Sequence, residues 1–361
     1  MVGAGTGWLP DAGWKAPYVT TFPFQVTCPP KGSGGLGVDA AMRIYLTSAV
    51  TSELDRIDPA TGSITALACP EGLRPKYPDG WSDGGVAIVP WNSIGGFVVS
   101  AQGDVLFLTN WQVNVPCFSN CGPAIYGDSI IELLGPASFV VAGSQEGFAD
   151  GSGLSAEFRQ PGGIATDDAG ALFVADLKNY RIRRIDPTGD VVTFAGSGVA
   201  GELDGPAATA EFDWPIAVAV DGPGDVFVAD EFGNTIRKVD ASGNVTTLAG
   251  NGARGNQDGT GGPSGAAELQ LPSALAIDRA GNLYVTEDDA LVRQVRPDGS
   301  TRTVAGADLP LGTSCSIDGP GGRNGMAEFT APGALAVAPN GDLLVCDVDR
   351  IRVIHFPDGG W

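Results

Sequence analysis

Few residues in this chain could carry out acid–base or nucleophilic chemistry together. The 361 residues include a single histidine, His355. A Ser-His-Asp triad needs a histidine base, and multi-histidine metal sites need several, so both kinds of site are excluded. We expect His355 to be a turn or edge residue. Catalysis by this chain would therefore have to use carboxylates, Arg, Tyr or a metal ion.

Acidic residues recur at two fixed positions, four times each. One set precedes glycine (Asp150, Asp204, Asp258 and Asp318), and the other ends an apolar segment (Asp176, Asp230, Glu287 and Asp347). Asp-Gly is above all turn chemistry, although a ring of carboxylates could also attract calcium. The second set is too regular to be catalytic. We therefore expect no required cofactor, with calcium as the alternative.

The elements that position these acids form a repeat. The stretch from Pro161 to Asp176 recurs from Pro215, Pro272 and Pro332, at spacings of 54, 57 and 60 residues. Each copy predicts a small apolar inner strand, a glycine turn, a β-branched second strand, and two further strands. In the third strand, 181–185, alternation predicts charged side chains outward and apolar ones inward. Two degraded copies occupy the N-terminal third. Such a repeat is typical of a propeller or solenoid.

The predicted fold is all-β, a six-bladed β-propeller of four-stranded antiparallel blades. The last copy has only three strands, and residues 18–22 match the outer strand of another copy, residues 244–248. We therefore predict that the N-terminal strand completes the last blade and closes the ring. Residues 16–361 form one domain in this prediction, preceded by an extension, 1–15.

The motifs Phe173-Val174-Ala175-Asp176 and Asn179-Tyr180-Arg181-Ile182-Arg183, with the closing Ala195-Gly196, resemble the NHL repeat. The linker Asp204-Gly205 … Ala210-Glu211-Phe212 does so too. The resemblance covers roughly residues 16–356 and implies the propeller, but no single activity, because one fold hosts many functions. RNA-binding NHL proteins use basic surfaces and the peptide-amidating lyases use several histidines, so neither activity carries over.

Calcium-dependent lactonase propellers, a related fold, hold their metal with Glu, Asn and Asp at the inner ends of the first strands. The matching positions here are Gly163, Ile216, Ala274 and Ala334, whose side chains cannot ligate a metal. The less regular first two copies could still supply ligands such as Asp79 or Asp83.

The charge balance restricts the partners. With 21 Lys and Arg against 42 Asp and Glu, the net charge is −21. This opposes binding to nucleic acid or to anionic membranes. No apolar stretch is long enough to span a bilayer, and residues 1–5 lack the features of a signal peptide. We expect a monomer, outside the cell or in the periplasm, whose leader sequence is not present in this chain.

Six cysteines support export. By register all six lie on one face, and an even number in surface loops favours disulfides. We predict the pairs Cys117–Cys121, Cys315–Cys346 and Cys28–Cys69. Free thiols in the cytosol are the main alternative, and zinc ligation is a weaker one.

The candidate ligand site lies where the copies differ. The residues just before each inner strand vary: Arg159 and Gln160, Asp213 and Trp214, Gln270 and Leu271, Thr330 and Ala331. The second copy adds Tyr77, Trp81, Trp91 and Trp111 on the same face. This pattern predicts an acidic, aromatic cup at the central mouth. We expect an exported recognition protein for a small molecule, glycan or protein. The alternative is a histidine-independent enzyme, a hydrolase, lyase or cyclase, in the same cup.

Overall fold

The structure is a computed structural model that describes residues 18–22, 28, 35–47, 54–61, 63–68, 94–99, 105–109, 128–134, 137–288, 290–306, 317–322, 326–348 and 350–356. Their strands form antiparallel sheets joined by turns and loops, with short 3-10 helices at 153–155 and 177–179. The predicted all-β propeller fold is confirmed. No helix in this part of the chain combines the length and apolarity needed to cross a membrane.

The described strands fall into six sheets, numbered here along the chain. Sheet 1 contains β2 to β5 (Leu36–Val38, Ile44–Thr47, Leu54–Ile57, Ile64–Ala68), and sheet 2 contains β6 to β9 (Ile94–Val99, Val105–Thr109, Ser129–Leu134, Ala137–Ala142). Sheet 3 contains β10 to β14 (Gly151–Ser152, Pro161–Thr166, Leu172–Asp176, Arg181–Ile185, Asp190–Ala195). Sheet 4 contains β15 to β19 (Gly205–Pro206, Pro215–Val220, Val226–Asp230, Thr235–Val239, Asn244–Ala249). Sheet 5 contains β20 to β23 (Ala274–Ile277, Leu283–Thr286, Val292–Val295, Thr301–Ala305). Sheet 6 contains β24 to β27 (Gly319–Pro320, Pro332–Val337, Leu343–Asp347, Arg350–His355) together with β1 (Tyr18–Thr21).

Three of the sheets depart from the predicted four strands. Sheets 3, 4 and 6 gain a two-residue strand, β10, β15 or β24, which pairs with the outer strand. Each of these short strands comes from the linker that enters the sheet, directly after its Asp-Gly aspartate. The linkers are therefore part of the sheets, which fixes where they run.

The innermost strands lie side by side in the order β2, β6, β11, β16, β20 and β25, and β25 also lies beside β2. Glycine allows this close approach. A Cβ on Gly163 would come within 2.8 Å of the Ala217 Cα, and one on Gly162 would overlap the Ile216 carbonyl oxygen. Apolar side chains such as Phe173, Val218 and Val228 fill the space between neighbouring sheets and form the core.

The N-terminal strand pairs with the C-terminal one, as predicted. Strand β1 runs antiparallel to β27, with Val19 opposite Ile354 and Thr21 opposite Arg352. The side chain of Thr21 donates a hydrogen bond to Asp318 at 3.0 Å. Thr247, its predicted counterpart in sheet 4, donates in the same way to Asp204 at 3.1 Å. The first residues of the propeller thus replace the outer strand of sheet 6.

A disulfide lies next to this junction, and it corrects two predicted pairings. Cys28 is bonded to Cys346, 318 residues away along the chain. The pairings Cys315–Cys346 and Cys28–Cys69 are therefore wrong. The Cys28 N–H donates to the carbonyl of Val348, which follows shortly after Cys346, and this contact holds the two cysteines side by side. Cys69, Cys117, Cys121 and Cys315 lie outside the described residues.

Each of sheets 3 to 6 contains a fully buried arginine in the third strand of the repeat, which is β13, β18, β22 or β27. These residues are Arg183, Arg237, Arg293 and Arg352. One guanidinium nitrogen of Arg183 donates to Asp176 and to the Glu157 carbonyl. The other donates to Asp150 and to the Ala149 carbonyl. Arg237, Arg293 and Arg352 make the corresponding contacts. We call this arrangement the arginine clamp.

The clamp corrects the outward orientation predicted for the third-strand charges. Ile182 and Arg183 pair regularly with β12, so their side chains point to opposite faces of the sheet, and both are buried because both faces are covered at this position. The clamp also gives the linker aspartates a role beyond turn formation, since Asp150 is an ion-pair partner of Arg183 at 2.7 Å. At the same register position, sheets 1 and 2 have Asp55 and Ile131 and so lack this arginine.

Reduction of the disulfide should lower the melting temperature, because it releases the segment that follows β1. A native disulfide contributes about 2–4 kcal/mol. Melting curves of the wild type with and without reductant provide the measurement. The Cys28→Ala/Cys346→Ala variant is the control, and it should lose this dependence on reductant. Equal wild-type curves in both conditions would contradict the expectation.

Substitution of a clamp arginine should destabilise the fold strongly. Arg183→Met leaves Asp176, Asp150 and two carbonyls without their donor, and breaking such a buried pair costs about 3–5 kcal/mol. Arg184→Met, in the same strand but partly exposed, is the matched control and should change the free energy of unfolding by less than about 0.5 kcal/mol. Urea unfolding measures both values. Similar midpoints for the two variants would show that the clamp does not stabilise the fold.

Candidate functional site

Residues in or beside the inner strands of all six sheets line a cavity of about 100 Å³. The described lining residues are glycines and apolar residues apart from Ser273, and they include Gly163, Ile216, Ala274 and Ala334. These are the four positions matched to the metal ligands of lactonase propellers, and here they offer no ligating side chain. The described wall of the channel therefore suits a metal ion poorly.

The loops that surround the entrance to this cavity carry the predicted site residues. Loops 144–160, 177–180, 196–214 and 231–234 lie on the side where the inner strands begin, and we call this side the mouth face. Arg159, Gln160, Asp213, Trp214 and Gln270 lie in the loops of this face but are not among the described residues that line the cavity. They are therefore residues of the mouth face and not of the described cavity wall.

The acidic residues at the ends of the second strands accept hydrogen bonds from backbone N–H groups of these loops. Asp176 accepts the N–H of Arg159 at 2.7 Å, and Glu287 accepts that of Gln270 at 3.1 Å. Asp347 accepts the N–H groups of Thr330 and Ala331. The same acidic residues pair with the clamp arginines. The backbone of the mouth loops is therefore held by buried ion pairs, whereas the side chains of these loops vary from sheet to sheet.

Trp214 stacks on a residue that the sequence did not single out. Its ring lies 5.1 Å from that of Phe232, at an interplanar angle of 27°. Trp214 is partly buried, and Phe232 is 48% exposed. The main chain holds the pair in place, because the Phe232 N–H donates to the Asp213 carbonyl at 3.0 Å. The two rings form an aromatic platform at the surface.

Carboxylates accompany this platform. Asp213 directly precedes Trp214, and the Glu202 carboxylate packs against Gly233, next to Phe232. Burial raises the pKa of Glu202, Arg237 lowers it, and the negative charges of Asp213 and Asp204 raise it further. Among the described residues, neither Asp213 nor Glu202 has a salt-bridge partner. This part of the mouth face is therefore locally anionic.

Asp230, beneath the same loop, is fully buried. Its Oδ1 has no donor in hydrogen-bonding geometry within the described chain, unlike its counterparts in sheets 3, 5 and 6. Burial raises the pKa of Asp230 to about 7, although the nearby N–H of Asp213 and the charge of Arg237 act in the opposite direction.

The other predicted site residues have different surroundings. Arg159 pairs with Glu146 at 3.1 Å on the surface. Gln160 donates its N–H to Asp128. Tyr77, Trp81, Trp91 and Trp111, and the proposed ligands Asp79 and Asp83, lie outside the described residues. Whether any of the predicted residues binds a ligand stays a prediction.

His355 lies at the end of β27, as an edge residue. One ring nitrogen is 3.0 Å from Asp342, and the other is 2.9 Å from the Thr20 hydroxyl of the N-terminal strand. The described part of the chain contains no group of three or more His, Cys, Asp or Glu side chains arranged to hold a metal ion.

Comparison with known proteins gives relatives over part of the chain. No protein-family model matches. The chain is 27% identical to mouse teneurin-3 over 225 residues, which are 56% of this chain and 8% of that protein. It is 36% identical to the chloroplastic SUPPRESSOR OF QUENCHING 1 of Arabidopsis thaliana over 96 residues, 26% of this chain and 9% of that protein. The match thus spans less than a tenth of the length of these relatives.

Solved structures match over nearly the whole chain. An auxiliary nutrient binding protein from Bacteroides ovatus has a TM-score of 0.61 at 15% identity, over 94% of this chain and 76% of that one. A streptogramin B lyase has a TM-score of 0.54 at 13% identity, over 95% and 98%. A gluconolactonase from Xanthomonas campestris has 0.56 at 11%, over 96% of both chains. Likeness at this level shows the propeller fold alone, and NHL membership stays a prediction.

The raised pKa of Asp230 predicts a pH dependence of stability. From about pH 4, the ordinary aspartate range, to about 7, the folded protein keeps a proton that the unfolded chain releases. This contribution is therefore complete at low pH and is lost as the pH rises through that window. Asp230→Asn should flatten the dependence, measured by urea unfolding at a series of pH values.

Asp240→Asn is the matched control for this experiment. Asp240 lies in an exposed turn, and its pKa is lowered by hydrogen bonds from Ser242 and Asn244, so it titrates below the window. The control should keep the wild-type dependence. An Asp230→Asn profile parallel to that of the wild type would refute the assignment.

Proposed function

We propose that the protein is an exported recognition propeller that binds a small molecule, glycan or protein at its mouth face. The observation that carries this proposal is the Trp214–Phe232 platform, two stacked aromatic rings from two different loops of the mouth face. At the position of Trp214, sheets 3, 5 and 6 have Gln160, Leu271 and Ala331. Aromatic side chains on a rigid base are typical anchors for ligands.

We further propose that the six sheets are the blades of one closed six-bladed ring. The order in which the inner strands lie side by side supports this, since β25 lies beside β2 and β2 beside β6. The pairing of β1 with β27 also supports it. In such a ring the mouth face has a single central opening, and ligands would meet residues from several blades there.

Export is supported by the disulfide and by the comparisons. Disulfides persist in oxidising compartments, such as the cell exterior and the periplasm. The Cys28–Cys346 bond joins the two ends of the fold. Structural neighbours that are named as auxiliary nutrient binding proteins also favour a binding role in an extracellular or periplasmic location.

A histidine-independent enzyme is the second candidate. The lyase and gluconolactonase among the structural neighbours favour it, since propellers of this shape can be enzymes. The absence of ligating side chains at Gly163, Ile216, Ala274 and Ala334 weighs against a lactonase metal site of the expected kind. For this reason we place binding ahead of catalysis.

Native mass spectrometry of the protein with a panel of monosaccharides, amino acids, amines, nucleosides and lactones tests the proposal. We expect a panel compound to be retained with unchanged mass. Trp214→Gln should weaken its binding about tenfold or more, as the loss of an aromatic anchor does. Leu271→Gln, the same replacement at the matching position of sheet 5, is the control and should bind normally.

Two outcomes would count against binding at this site. Equal affinity of the two variants for the retained compound would place binding elsewhere. Turnover of a panel compound by catalytic amounts of protein would favour the enzyme. In that case, dependence of the rate on Trp214 would locate the activity on the mouth face.

A further inference from the structure

We propose that the mouth loops of sheet 4 bind a small organic cation, with an alkylammonium group on the Trp214–Phe232 platform. This inference rests on the proposed binding function and specifies the chemical class of the ligand. An ammonium group over an aromatic face is attracted by the electron-rich ring, and tryptophan is the strongest partner. The stacked geometry leaves Phe232 about half exposed and available for contact.

The charges around the platform complement a cation. Four carboxylates belong to this part of sheet 4: Asp204, Asp230, Asp213 and Glu202. The single arginine among them, Arg237, is already bound by Asp204 at 2.6 Å and Asp230 at 3.4 Å. Asp213 and Glu202 repel each other, and neither forms a salt bridge with a described residue, although the charge of Arg237 acts on Glu202 in the opposite direction. A bound ammonium group would relieve this repulsion.

The neighbouring sheets show that the repeat does not itself require this arrangement. In sheet 3, Arg159 and Lys178 take the places of Asp213 and Phe232, as matching main-chain hydrogen bonds show. Arg159 is neutralised by Glu146. In sheet 5, Asp288 takes the place of Phe232 and lies 3.8 Å from Arg254. In each of these neighbours a charged residue of the loop has a salt-bridge partner, whereas Asp213 in sheet 4 has none among the described residues.

The buried carboxyl group of Asp230 lies beneath the same loop. Its counterparts accept hydrogen bonds from the mouth loops, but Asp230 Oδ1 has no such donor among the described residues. Because Asp230 keeps its proton up to about pH 7, the attraction for a cation is assigned to Asp213 and Glu202. A platform of only two rings matches a single ammonium group better than an extended macromolecular surface.

Choline and its neutral isostere 3,3-dimethylbutan-1-ol are the probes. Both have the same shape, and only choline has a charge. The indole N–H resonance of Trp214, identified by its loss in Trp214→Gln, reports binding in an NMR titration at low salt. We expect choline to bind at least about tenfold more tightly than the alcohol, and added salt to weaken only choline.

Two double variants separate local charge from net charge. Asp213→Asn/Glu202→Gln should weaken choline binding severalfold and leave the alcohol unchanged. Asp186→Asn/Asp240→Asn removes two carboxylates from turns at the other ends of the strands and should leave choline binding as in the wild type. Phe232→Lys, which installs the sheet 3 residue, should abolish choline binding.

Equal affinity for choline and the alcohol would overturn the proposal. So would the absence of any choline-dependent shift of the Trp214 resonance, or binding of a lysine-rich peptide without binding of choline. If choline fails while a neutral compound from the panel binds in a Trp214-dependent way, the recognition function stands and only the cation assignment is lost.

Discussion

The propeller depends on an arginine that is buried without access to water. A guanidinium in this position is stable only when opposite charges and carbonyl oxygens surround it. In sheets 3 to 6 these partners come from the second strand and from the linker that enters the sheet. One side chain therefore fixes the linker, the third strand and the acid under the mouth loop at once. The acid of this ion pair also binds the backbone of the mouth loop in sheets 3, 5 and 6.

The recurring acidic residues are bound by the clamp arginines. Residues that bind a ligand therefore have to be sought among the side chains outside the clamp. Asp176 is bound by Arg183, Asn179 and the Arg159 N–H, and Asp150 is bound by Arg183 and the Thr193 hydroxyl. What remains are side chains that project from the loops, and they differ from sheet to sheet. Sheet 4 stands out through its stacked rings and unbalanced carboxylates, which is why both proposals concern that sheet.

Much of the fold could be predicted from sequence, because the register of Pro161 and its later copies is set by apolar periodicity and turn glycines. The pairing of β1 with β27 followed from the same register. The burial of Arg183 could not be predicted from alternation, since alternation assigns one face to solvent and here both faces of the strand are covered. Phe232 was missed because its contact with Trp214 joins two different loops. Cys28 and Cys346 form a disulfide although they are 318 residues apart, and the spacing of the cysteines in the sequence does not reveal this pairing.

The position of β1 in sheet 6 has a consequence for biosynthesis. A ribosome delivers Tyr18–Thr21 more than 300 residues before its partner Arg350–His355, so this strand has no native neighbour while most of the chain is made. Sheets 3, 4 and 5 can form from local hairpins in the meantime. The last sheet, and the bond between Cys28 and Cys346, can assemble only after translation of the domain is complete. Assembly of sheet 6 therefore has to wait for the synthesis of β27.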